Sequence, residues 1–142
     1  MKFSVRIPFV ELLGFELQKF EGGEAEITFK PSEDHLNSFD VVHGGASMTL
    51  LDVVMAHAAR SVEVDMGCVT IEMKTSFMRA AKGPLTAKGK LLHRTATMAF
   101  TEGSIFDAAG KLCAHATGTF KFVARLPVGA GSVQALNRIS TD

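Results

Sequence analysis

The stretch ASMTLLDVVMAHAAR, residues 46–60, constrains the fold more than any other part of this chain. It is long enough for a helix of several turns, and apolar residues occupy most of its circumference, so such a helix is buried on several sides instead of lying on a surface. The segments after it read as strands. CVTIEMKTSFMR (68–79) alternates strictly, which sends Val69, Ile71, Met73, Thr75 and Phe77 to one face. LTAKGKLLH (85–93) carries two lysines on one face, ATMAFTEGSIF (96–106) groups Ala96, Met98 and Phe100, and DAAG turns the chain into KLCAHATGTFKFVA (111–124). A doubly wound sheet needs helices between these strands, and the sequence has none there.

Upstream, PFVELLG predicts a short helix, with Pro8 in its first turn and Gly14 as a left-handed cap. FELQKFE and EAEITFK flank Gly22-Gly23, a hairpin signal, and Ala25, Ile27 and Phe29 alternate with polar residues. The predicted order is helix, two strands, one long helix, then three or four strands on short turns. Short connections make the sheet antiparallel, and only the central helix can cover it. The expected fold class is therefore α+β, a curved antiparallel sheet wrapped around one helix, in a single domain over residues 1–126. Residues 127–142, small and polar, are expected to form a loosely held tail.

Composition sets the remaining bounds. At 142 residues the chain can bury a core without disulfides or structural metal. Fifteen basic residues balance fifteen acidic ones, so net charge gives no reason to expect nucleic acid or a membrane surface as a partner. The N-terminus carries Arg6, Pro8 and Glu11 where an export signal needs an apolar run, which predicts a cytoplasmic protein. Cys68 and Cys113 have neither metal-ligand spacing nor a disulfide framework and are expected as reduced thiols. Eleven Phe with no Trp or Tyr suggest large apolar surfaces that need no polar handle.

Chemistry concentrates in HLNSFDVVHGGASMTLLD, residues 35–52. A glycine pair opening a helix leaves bare N–H groups at the positive end of its dipole. An acid eight residues on, among Leu, Val and Met, is costly unless something uses it. Gly44 and Asp52 lie roughly 12 Å apart along the helix, too far to meet one carbonyl within a single chain. Two such helices running antiparallel across a two-fold axis bring Gly44 of one chain beside Asp52 of the other, giving two composite sites per dimer. A helix-terminal N–H that polarises a carbonyl, with a carboxylate that attacks or activates water, is minimum equipment for acyl transfer. No G-x-S-x-G elbow competes with it, and neither a metal-ligand cluster nor a dinucleotide fingerprint points to a metal or cofactor.

The pattern H-x-N-x-F-x-x-V-H-G-G-A, followed by an apolar helix with an acid nine residues after the second histidine, resembles the hotdog-fold acyl-CoA thioesterases, and most closely the phenylacetate-pathway branch. SFMRAAKGPLTAKGKLLHRTATM and SIFDAAGKLCAHATGTFKF extend the resemblance over most of residues 12–123. It implies Asp52 as nucleophile or general base, with the Gly44 amide polarising the thioester carbonyl. Asn37 would orient the attacking water or carboxylate, and His43 would lie against the thioester. Arg79 and Lys82 would meet the phosphates of coenzyme A. It also implies a homodimer with shared sites, or a tetramer of paired dimers. Asp40 stands where a glycine is common, but Asp tolerates a left-handed turn. Arg94-Thr95 replaces a frequent glycine between the last strands.

Each of these residues also has a purely structural reading. Asp52 could bond a nearby Ser or Thr, Gly44 and Gly45 could permit close packing, Asn37 could brace its loop, and Arg79 and Lys82 could form a solvated rim. His43 could be a turn histidine. His57 lies about 140° around the helix from Asp52 and is expected as a packed or interface residue, not its partner. His35, His93 and His115 belong to no constellation, and Met48, Met55, Met73 and Met78 suit a core more than an acyl pocket, with room for one or two of them to line the pocket. Two rival functions remain at this point: a non-catalytic acyl-CoA-binding module, and a hotdog dehydratase acting on acyl carrier protein through His43 and Asp52. The latter lacks the usual His-Phe-Pro loop.

Overall fold

Three of the hairpins implied by short connections form, but CVTIEMKTSFMR does not pair with LTAKGKLLH, the next strand along the chain; it lies at the sheet edge against KLCAHATGTFKFVA instead. In a computed structural model, which describes residues 1–125, α1 spans Pro8–Leu13, β1 Glu16–Glu21, β2 Glu24–Phe29, α2 Gly44–Arg60, β3 Met66–Phe77, β4 Leu85–Arg94, β5 Met98–Phe106 and β6 Leu112–Arg125. The predicted tail lies outside the described residues. Gly14 caps α1 at φ 76°, and Gly22 and Gly23 turn the first hairpin at φ 59° and 85°. All pairings are antiparallel, in the order β1-β2-β4-β5-β6-β3, so β1 and β3 are the two edges. Helix α2 crosses one face and touches all six strands, which is the hotdog arrangement.

Ala25, Ile27 and Phe29 of β2 are buried under the helix, as their alternation predicts. Leu85, Ala87, Ala99, Ile105, Ala114, Ala116 and Phe120 continue that inner face. Small residues let the helix come close: a Cβ on Gly89 would run into the Val54 carbonyl, and one on Gly118 would meet Met55. Leu50, Leu51, Val54, Met55, Ala58 and Ala59 fill the space above them. Along the other side of α2, Gly45, Met48, Thr49, Asp52, Val53 and Ala56 keep partial exposure, so the helix is not buried all round within one chain.

One expectation on β3 fails. Opposite β6 the register shifts between Thr70 and Glu72, where Thr70 pairs with Phe120 and Glu72 with Thr119. This bulge reverses the alternation. Cys68 and Thr70 share the helix side with Met73, Thr75 and Phe77, whereas Val69 pairs with Lys121 on the outer side and Ile71 stays 51% exposed. The sequence groups Ala96, Met98 and Phe100 on one face but does not say which. Met98 and Phe100 point outward, while Ala99 and Thr101 between and beside them are buried.

The C-terminal half of α2 is covered by the N-terminal arm. His57 is buried with the Phe3 and Phe20 rings edge-on at 5.0 and 5.9 Å, and its Nδ1 bonds the Val53 carbonyl oxygen at 2.8 Å. Burial above all lowers its pKa from 6.5 to about 4; the Val53 bond opposes the shift and the Arg60 charge adds to it. The unfolded chain therefore takes up a proton near pH 6.5 that the folded one refuses until about 4. Stability from neutral His57 is complete above 6.5 and is lost as pH falls through this window, by on the order of 3 kcal/mol. Urea unfolding at pH 7 and pH 4.5 is expected to show a loss that is distinctly smaller in His57→Gln. Equal losses in both proteins would remove His57 as the cause.

Candidate active site

His43 and the two glycines after it set up the mouth of α2. The His43 backbone is extended, and its Nδ1 accepts the Gly45 N–H at 2.8 Å, which makes it the N-cap. The His43 carbonyl accepts the N–H groups of Ala46 and Ser47 at 2.9 and 3.2 Å. Of the first-turn donors, the Gly44 N–H alone has no acceptor among the described residues. It therefore remains open at the positive end of a 17-residue helix. With Nδ1 accepting, a neutral His43 carries its proton on Nε2.

The loop before α2 is braced by Asn37. Its Oδ1 accepts the N–H groups of Phe39 and Val41 at 2.9 and 3.3 Å, and its own N–H donates to the Val41 carbonyl at 2.8 Å. Asp40 sits in this turn at φ 58°, the left-handed geometry its position called for. Asn37 thus has the loop-bracing role, while its Nδ2 group has no protein partner among the described residues.

A pocket of about 400 Å³ opens at this helix mouth. Asn37, Gly44 and Ser47 line it together with Val41, Val42, Phe77, Met78 and Ala81, and Arg79 adds a cation. Arg79 is brought there by β6: the N–H groups of Met78 and Arg79 both donate to the Cys113 carbonyl, at 2.9 and 3.1 Å. Lys82 lies on the same loop but is exposed and does not line the pocket. No motif spacing marks Ser47 as a lining residue, and the sequence assigns Phe77 only a strand face, Cys113 only a reduced thiol and Met78 a core place, whereas Met78 is 54% exposed and lines the pocket. Arg94-Thr95 falls at the far end of the sheet, with Arg94 bonded to Glu63 at 2.8 Å. A larger hollow of about 970 Å³ under the N-terminal arm contains none of the predicted site residues.

Asp52 is not in this pocket. It lies two turns along α2, facing edge strand β3, where the Thr70 hydroxyl donates to Oδ1 at 2.6 Å. The bulge makes that contact possible by turning Thr70 to the helix side. Burial, the larger cause, raises the Asp52 pKa above its ordinary 3.8, and the Thr70 bond partly offsets it. His43 and Asp52 form no pair within the chain: the histidine ring caps α2 and the carboxylate bonds Thr70. Among the described residues no His, Cys, Asp or Glu side chains are grouped to hold a metal ion. The arrangement offers a polarising N–H, an amide and a cation around one pocket, with a carboxylate elsewhere on the same helix.

A model of the thioesterase superfamily matches residues 39–114. The chain is 33% identical over 121 residues to a candidate esterase of Saccharolobus solfataricus, covering 84% of this chain and 86% of that protein. It is 29% identical over 100 residues to human acyl-coenzyme A thioesterase 13, covering 68% and 71%. Among solved structures, a candidate thioesterase of Ralstonia eutropha related to phenylacetic acid degradation superposes with a TM-score of 0.75 at 27% identity, covering 82% of this chain and 92% of that one.

Proposed function

The chain belongs to the thioesterase superfamily, and on that premise we propose that it hydrolyses acyl-coenzyme A thioesters to the free acid and coenzyme A. The observation that carries this reading is the unpartnered Gly44 N–H, open to a pocket at the positive end of α2. A thioester oxygen seated there accepts that bond, and the bond strengthens as negative charge develops on the oxygen. Asn37 offers its free Nδ2 to the attacking water or carboxylate, and His43, which caps the helix beside the pocket without lining it, lies against the thioester. Arg79 meets the carrier's phosphates, with Lys82 nearby on the same loop.

The carboxylate comes from a second copy. Asp52 lies centrally in the partly exposed stripe Gly45, Met48, Thr49, Asp52, Val53 and Ala56, and beside it the 12-residue strand β3 is an open edge. A copy packed antiparallel over this stripe covers both and sets each Asp52 beside the other chain's Gly44. There Asp52 attacks the carbonyl carbon or takes a proton from water. The outer sheet face, with Phe100 at 39% exposure, offers a surface on which two dimers pair as a tetramer. None of the helices among the described residues is long and apolar enough to cross a membrane, and a cytoplasmic setting is part of the proposal.

Thiol release from a panel of acyl-CoAs tests the activity. Binding without release would favour the non-catalytic module, and formation of an enoyl product on acyl carrier protein would favour the dehydratase. The pH profile tests Asp52 further. Activity needs the ionised carboxylate, so kcat/KM falls as pH drops through a pKa above the ordinary 3.8. Thr70→Val removes the bond that favours ionisation, and the acid limb is expected at higher pH than in the wild type. An unmoved limb would separate that limb from Asp52.

A further inference from the structure

Arg79 is held at both ends, and the second holder is a residue outside the pocket. Its N–H is pinned to the Cys113 carbonyl, and its guanidinium lies with Nε 3.8 Å from Oδ2 of Asp107. Asp107 opens the β5–β6 turn and is rigidly placed. Its Oδ1 accepts the N–H groups of Ala109 and Lys111 at 3.0 and 2.9 Å, its N–H donates to the Lys111 carbonyl at 3.0 Å, and its carbonyl accepts the Gly110 N–H at 2.9 Å. With Oδ1 taken by two backbone donors, Oδ2 is the oxygen left to face the arginine. The Asp107 side chain is 18% exposed against 50% for Arg79, so the carboxylate is the fixed member of the pair.

An ion pair this long, half in solvent, contributes little to stability. Its consequence is orientation. The contact is made through Nε, and neither terminal nitrogen of Arg79 has a protein partner among the described residues. Those two nitrogens form the fork that binds a phosphate through parallel hydrogen bonds.

We propose that Asp107 is a positioning residue: it holds Arg79 by its Nε edge so that the free fork faces a phosphate of the nucleotide carrier at the mouth of the Gly44 pocket. This rests on the reading of Arg79 as a phosphate contact. The carboxylate acts before the ligand arrives, by removing orientations of a long side chain that would otherwise be lost on binding. It touches no reacting atom.

Asp107→Asn is the test, because the amide keeps the Oδ1 acceptor that braces the turn and removes the charge facing Arg79. KM for an acyl-CoA is expected to rise about three- to tenfold with kcat unchanged. Both constants should hold for the same acyl group on N-acetylcysteamine, which has no nucleotide. In an Arg79→Ala background, Asp107→Asn should have no further effect. An unchanged or lower KM for acyl-CoA, an equal change on both thioesters, or an undiminished effect without Arg79 would overturn the proposal. Arg79→Ala alone separates the two levels. If it raises KM for acyl-CoA only, and Asp107→Asn does nothing, the positioning role falls while the phosphate contact stands. If Arg79→Ala itself treats both thioesters alike, the phosphate contact falls and takes the positioning role with it.

Discussion

Asp52→Asn is expected to lose turnover by roughly 10²- to 10⁴-fold while keeping the fold and the affinity for coenzyme A. The amide has the shape of the carboxylate and can still accept the Thr70 hydroxyl, so the 2.6 Å contact survives. It can neither attack a carbonyl nor take a proton. Stability should move the other way or not at all. Burial already works against the charged form of Asp52, and a neutral amide in its place relieves that cost, as expected where a functional charge is kept at some expense to the fold. Thiol release and thermal unfolding on the same preparations read both effects. Hydrolysis within a few-fold of wild type would remove Asp52 from the chemistry, and a large fall in unfolding temperature would mean that the activity loss reports damage to α2.

The parts of the fold legible in the sequence are those fixed by local chemistry. Gly14, Gly22, Gly23 and Asp40 all take left-handed backbone geometry, which few residues adopt without strain. Helix α2 starts at Gly44, where His-Gly-Gly supplies a cap and leaves one open donor, the Gly44 N–H, among the described residues. What stayed hidden depends on pairings across the sheet. Val69 and Ile71 alternate with polar neighbours and look like core residues, yet their side of the sheet is set by the register of β6 opposite the bulge. Thr70 consequently looked like an outward residue, although it is the partner of Asp52. Arg79 joins the Gly44 pocket because the Cys113 carbonyl, 34 residues later, accepts its N–H. Lys82 is three residues away in sequence and misses the pocket: its neighbour Ala81 is tied in, its carbonyl accepting the Val42 N–H at 2.9 Å, while Lys82 itself stays exposed. Asn37 allows two readings from sequence, orienting a nucleophile or bracing a loop, and its two polar atoms accommodate both: Oδ1 is used by the loop and Nδ2 has no partner among the described residues.

Mixing two inactive variants is expected to restore activity. Asn37 and Gly44 line one pocket, and Asp52 of the same chain lies outside it against Thr70. If each site draws Asn37 from one chain and Asp52 from the other, Asn37→Ala and Asp52→Ala damage opposite halves of it. In a dimer of one variant with the other, one site carries both lesions and its mate carries neither. Random exchange makes about half the dimers mixed, each with one intact site of two, so recovery approaches roughly a quarter of wild-type activity. Asn37→Ala must first prove severely impaired by itself. Its unfolding temperature must also be checked, because the same side chain accepts two loop N–H groups and a collapsed loop could not contribute an intact half. Exchange is followed by differently tagged copies co-purifying. If tags exchange and no activity returns, Asn37 and Asp52 serve one site from one chain. The roughly 12 Å of helix between Gly44 and Asp52 would then have to be bridged within the protomer, which a straight α-helix does not allow for a single carbonyl.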